Sequence, residues 1–195
     1  MTFKDLTLFI INNLEGGYFH PEMLKDGRVT DPRYSTSGET MFGIDRLNGG
    51  SINTSDAGVQ FWGLIDSANA KYTWRWNYFG GDLKDQLIGL VADMMQPVYS
   101  QYANSLLNAD SINIMNKDDR LTFEFAYASW NGYTWFRYLA NIFNNAIANG
   151  EKNYNNLSDL LVSARINSGN SLISQGGQKI QSIIYQLSPG YKKKG

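Results

Sequence analysis

The chain has 195 residues, 17 basic against 18 acidic side chains and a formal charge of −1. That length is enough for one domain with its own core, and the near-neutral balance offers no basic surface for nucleic acid. There is no cysteine and a single histidine, His20. Disulfides, thiolate zinc sites and a cysteine nucleophile are therefore excluded, and a Ser-His-Asp triad would have to use His20 without any Gly-x-Ser-x-Gly elbow. No phosphate-cradling or calcium loop appears, so neither a cofactor nor a metal is expected.

Phe3, Leu6, Phe9, Ile10 and Leu14 recur at three- and four-residue steps, which predicts a short amphipathic helix over 3–14. The apolar run Phe9-Ile10-Ile11 is broken at once by Asn12 and Asn13. Neither a secretory signal nor a membrane-spanning helix is expected there. Glu15 falls at the helix end, before Gly16-Gly17, a pair suited to stopping a helix with left-handed backbone. The negative end of the helix dipole and any apolar surround would both favour the protonated form of Glu15. A carboxylic acid held protonated is what cleavage of a glycosidic bond requires, although a single solvated acid at a helix end is also common.

Beyond Gly17, His20-Pro21, Lys25-Asp26-Gly27 and Asp31-Pro32 are turn signals, and Arg28-Val29-Thr30 could pair with Thr40-Met41-Phe42-Gly43-Ile44 as a small hairpin. Thr54 or Ser55 can cap the next helix, whose Phe61, Ile65 and Ala68 share a face. Tyr72 to Phe79 is rich in aromatics and suits either core packing or a sugar-stacking surface. Leu83, Leu87, Val91, Met94, Val98 and Tyr102 form one stripe of a helix from about 82 to about 107, which Pro97 should kink or split.

Lys117-Asp118-Asp119-Arg120 opens a helix through Leu121, Phe125 and Ala128 that stops at Asn131-Gly132. Trp135, Leu139, Ile142 or Phe143, and Ala146 give the stripe of the next, ended by Gly150. Two tail helices are expected at Leu157–Ile166 and Gln178–Leu187, with Gly176-Gly177 breaking the chain between them. The expected organisation is a main domain over 1–150 and a C-terminal helical extension over 151–195 packed on it. The run Lys192-Lys193-Lys194 reads as a solvated end.

Glu15-Gly16-Gly17-Tyr18, then Asp31-Pro32, then Ser37-Gly38-Glu39-Thr40-Met41-Phe42-Gly43-Ile44, resembles the N-terminal signature of glycoside hydrolase family 108. That family comprises lysozyme-like peptidoglycan hydrolases frequent in bacteriophages. Fainter likeness continues through Asp93–Tyr102 and through Phe125–Gly132, so the resemblance spans roughly the first 130 residues. It implies a mainly α, lysozyme-like α+β fold in which a small β-hairpin lines the cleft. It also implies a muramidase that cleaves the β-1,4 bond between N-acetylmuramic acid and N-acetylglucosamine.

On that resemblance Glu15 is the general acid. Glu39 and Asp31 are alternative partners, Thr40 could orient a water, and Tyr18, Tyr34, Phe42, Trp130 and Asn131 are candidate substrate contacts. Arg33-Tyr34-Ser35-Thr36-Ser37 carries no carboxylate where the family has an Asp. This leaves open a lytic transglycosylase, or a non-catalytic virion or wall-binding protein; a chitinase- or chitosanase-like activity is a weaker reading. The expected partners are peptidoglycan glycan strands and phage virion proteins, and the expected location is the virion or the host cytoplasm before release to the wall.

Overall fold

The computed structural model describes residues 1–15, 17, 40–67 and 81–188. Among them the fold is mainly helical, with one two-stranded antiparallel pair. No helix among these residues is long and apolar enough to cross a membrane. The chain divides into two compact units, Thr2–Gln96 and Pro97–Gly195, the second also including Met1.

In the first unit, α1 (Phe3–Asn13) starts at Thr2, whose hydroxyl accepts the Asp5 N–H while the Asp5 carboxylate accepts the Thr2 N–H. These reciprocal bonds satisfy donors that a helix start otherwise leaves open, and those from Thr2 hold the Asp5 carboxyl below its ordinary value. The α1 stripe buries Leu6, Ile10 and Ile11. β1 (Thr40–Met41) pairs with β2 (Ile44–Asp45), Met41 opposite Ile44.

The run Thr40–Ile44 thus folds back on itself instead of forming one strand; Arg28-Val29-Thr30, its expected partner, lies outside the described residues. Phe42 and Gly43 both have positive φ, 52° and 75°, as a two-residue hairpin turn of matching twist requires. α2 (Ser51–Thr54) leads to α3 (Asp56–Ser67). Of the two residues proposed to cap it, Ser55 does so, its Oγ accepting the Gly58 N–H at 3.1 Å.

α4 (Gly81–Leu106) buries Leu87, Val91 and Met94 as the stripe predicts. Pro97 does not split it. Pro97 and Asp93, whose carbonyl loses its N–H partner there, are exposed, so water can satisfy the freed group.

In the second unit, α5 (Ala109–Met115), which no sequence signal had indicated, is capped by Asn108. α6 (Asp119–Trp130) starts at Asp118, whose carboxylate accepts the N–H groups of Arg120 and Leu121. α7 (Tyr133–Ala148) buries Phe136, Leu139, Ala140 and Phe143. Its buried stripe therefore includes Phe136, with Trp135 beside it only half-buried, and it takes Phe143 in preference to Ile142.

Phe125 meets Phe136 and Phe143, each with ring centroids 5.2 Å apart. Leu157 and Leu161 of α8 (Tyr154–Ile166) belong to the same core. Residues past 150 are thus integral to this unit, each such buried side chain contributing about 1.5–3 kcal/mol.

α9 (Ser171–Ile183) and a 3-10 turn (Ile184–Leu187) follow. Gly176 and Gly177 lie inside α9 and do not break it. A Cβ on Gly177 would come within 2.9 Å of Arg165 Cβ and of the Ile166 nitrogen. The glycine is there because α8 and α9 touch at that point.

Candidate active site

Glu15 follows the α1 C-cap, Leu14. The N–H groups of Leu14 and Glu15 both donate to the Ile10 carbonyl, at 2.8 and 3.2 Å. Burial of Ile10 anchors that carbonyl, so the core-facing stripe of α1 sets where the acid begins. Glu15 is half-buried.

The hairpin holds Thr40 half-buried on β1, while Met41 and Ile44 turn inward. Phe42 is fully buried, its ring 6.4 Å from that of Phe61. Its expected role as a sugar contact is corrected by that burial: the ring fills the core and leaves no face for a ligand.

After the hairpin, the Asp45 carboxylate accepts the N–H groups of Leu47 and Asn48 and the Asn48 side-chain amide, at 2.8–3.0 Å. The Asn53 amide donates to the carbonyls of Asp45 and Arg46, both at 2.8 Å, and accepts the Trp62 indole N–H at 3.0 Å. Arg46 grips Asp66 through two bonds, at 2.9 and 2.8 Å, and stacks 5.0 Å over the Trp62 ring. Asn53, Asp45 and Arg46 therefore clamp the base of the hairpin to α3. Sequence reasoning assigned none of them this role; only the planar pairing of Arg46 with a carboxylate is a common enough habit to have suggested it.

In the second unit, Trp130 is half-buried at the end of α6, and Asn131 caps it. The Asn131 side-chain oxygen accepts Arg165 Nη1 at 3.0 Å. The oxygen of this candidate substrate contact is thus engaged with the protein itself.

Arg165 is 1% exposed and Glu124 is fully buried, with Nε donating to Oε2 at 2.8 Å. Arg165 Nη2 also donates to the Glu124 carbonyl at 2.9 Å, and the guanidinium lies 5.1 Å from the Tyr127 ring centroid. Glu124 Oε1 has no hydrogen-bond partner among the described residues. Burial pushes the Glu124 carboxyl above its ordinary value, opposed by Arg165. Neither residue was singled out from the sequence, since only the fold brings together positions 41 apart.

Tyr18, Asp31, Tyr34 and Glu39, the aromatic run 72–79 and His20 lie outside the described residues. Glu15, Thr40 and Phe42 belong to the first unit, Trp130 and Asn131 to the second. Among the described residues no group of three His, Cys, Asp or Glu side chains could hold a metal ion.

Comparison of the chain with protein-family models, curated proteins and solved structures finds no match.

Proposed function

We propose that the protein is a lysozyme-like peptidoglycan hydrolase, a muramidase acting on bacterial glycan strands, with phage virion proteins as further partners. The observation that carries this reading is the order of the Glu15-Gly16-Gly17-Tyr18 and Ser37–Ile44 segments, supported by the half-buried Glu15 at a helix end and the tight turn at Phe42-Gly43 within one compact unit. Glu15 donates the proton that the leaving sugar oxygen needs as the bond breaks. Glu39 or Asp31 then activates a water or stabilises the oxocarbenium-like transition state, with Thr40 orienting the water.

The test is release of soluble fragments from purified sacculi by wild type and by Glu15→Gln, with mass analysis of the products. A loss of roughly 10²–10⁴-fold in the variant is expected, with reducing muramic acid ends in the wild-type products. Anhydro ends would instead make the enzyme a lytic transglycosylase. The absence of a carboxylate from Arg33 to Ser37 favours a second reading, a non-catalytic wall-binding or virion protein. No release by folded wild type would overturn the cleavage reading and leave a binding or structural protein.

A further inference from the structure

A second surface of the molecule has the chemistry of a ligand site and lies in the unit that does not contain Glu15. Two pockets, of about 630 and about 460 Å³, share Lys152 and Tyr154 as walls. Both volumes fall within the roughly 300–1,000 Å³ usual for ligand pockets. The larger is walled by Ile114 and Ile147, by the amide of Asn113 and by Lys117 and Asp110. The smaller adds Asn155 and the Arg120–Asp118 ion pair, closed at 2.6 Å.

Three cationic side chains, Lys117, Lys152 and Arg120, stand against three carboxylates, Asp110 and Asp118 of the walls and Glu151 of the adjoining loop. Arg120 is held by the Asp118 carboxylate and by the Asn155 side-chain oxygen, at 2.6 Å each, Glu151 is taken up by the N–H groups of its own loop, and neither lysine ammonium meets a carboxylate among the described residues. The surface therefore offers two lysine cations beside a tyrosine ring, two half-buried isoleucines and the Asn113 amide. Sugar rings present an apolar face and a rim of hydroxyls, which suits the ring, the aliphatic walls and the amides. The lysines suit carboxylates carried on such rings.

The loop that presents Lys152 and Tyr154 is held in place before any ligand arrives. α7 ends with the Gly150 N–H on Ile147 O and the Glu151 N–H on Ala146 O, at 2.9 and 3.0 Å. The Glu151 carboxylate accepts the N–H groups of Lys152 and Asn153 and the Asn156 amide, at 2.8–2.9 Å. These bonds hold its carboxyl below the ordinary value. The Asn153 side chain accepts the N–H groups of Asn155 and Asn156.

Backbone N–H groups at a helix start are the usual cradle for a phosphate. Here the N–H groups of Lys152, Asn153, Asn155 and Asn156 are already taken by Glu151 and Asn153. That occupancy disfavours phosphate and leaves recognition to the side chains.

We infer that this double pocket binds a segment of acidic polysaccharide, with pyranose rings against Tyr154, Ile114 and Ile147 and ring carboxylates on Lys117 and Lys152. The site does not depend on Glu15, and its failure would leave the cleavage reading standing.

The test uses the full chain carrying Glu15→Gln, titrated with a uronic-acid tetramer, a neutral N-acetylglucosamine tetramer and inorganic phosphate. Amide shifts and calorimetry are the readouts. The acidic tetramer should move the amide signals of Asn113, Lys117 and residues 152–155, and the double variant Lys117→Gln/Lys152→Gln should weaken it about 10-fold. Tyr154→Ala should weaken it as well. All three substituted side chains are exposed, so folding is preserved. Equal binding of the neutral tetramer, the same shifts from phosphate alone, or no shift at these positions would each overturn the inference.

Discussion

Both units set polar side chains where the chain turns, and among the described residues the second also places an ion pair in its core. In Thr2–Gln96 they sit where the chain turns: Thr2 and Asp5 start a helix, Asp45 and Asn53 tie the hairpin base, and Glu15 ends α1. In Pro97–Gly195 an ion pair, Glu124 with Arg165, is placed inside the core. A charge at a turn keeps much of its water, so losing a partner leaves it solvated. A charge in a core has exchanged that water for one partner, and the fold depends on the partner.

The largest effect on stability should come from Arg165→Ala, which strands Glu124 in the interior. A loss of about 3–5 kcal/mol is expected in urea unfolding at neutral pH. The loss should shrink on acidification, when Glu124 can take a proton. Glu15→Gln is the sharpest contrast, because it should abolish sacculus cleavage with the unfolding midpoint nearly unchanged. If both substitutions unfolded the protein alike, the contrast between the units would fail.

Phe136→Ala removes the ring at the centre of the Phe125 cluster and should cost about 3–5 kcal/mol by the same measurement. Gly177→Ala forces α9 away from Arg165 and Ile166, for about 1–3 kcal/mol. Ser55→Ala, a cap in the first unit, should cost only about 0.5–2 kcal/mol.

The pH dependence has a definite sign. The folded Glu124 carboxyl titrates above its ordinary value of 4.5, so the folded protein holds that proton more tightly than the unfolded chain does. Its contribution is fully present below that value and is lost as pH rises through the raised one. Glu124→Gln should flatten this part of the stability curve, which thermal unfolding across pH would show.

Much of the helical layout was legible. Asp118 before an apolar stripe and Asn131-Gly132 after it mark α6, because a side-chain acceptor and a turn residue act within a few positions of where they stand. The same local chemistry made Thr54 or Ser55 legible as a cap, and the fold chose Ser55. Phe136 was missed for Trp135 because a stripe read one step off its axis still looks periodic, and the core decides which ring faces in. Of the candidate site, the place of Glu15 at a helix end was legible. The use of Phe42 was not, since a ring in a turn can face either way until Phe61 packs on it.

The sequence by itself determined where α1 and α6 start and stop, the absence of thiol chemistry and the position of Glu15 after α1. Each follows from residue identity and from interactions spanning a few residues. Only the tertiary structure decided the hairpin turn at Phe42-Gly43, the passage of α9 through Gly176-Gly177 and the joining of Glu124 to Arg165. Those outcomes depend on contacts between distant segments, whose energies exist only once the core has brought the segments together.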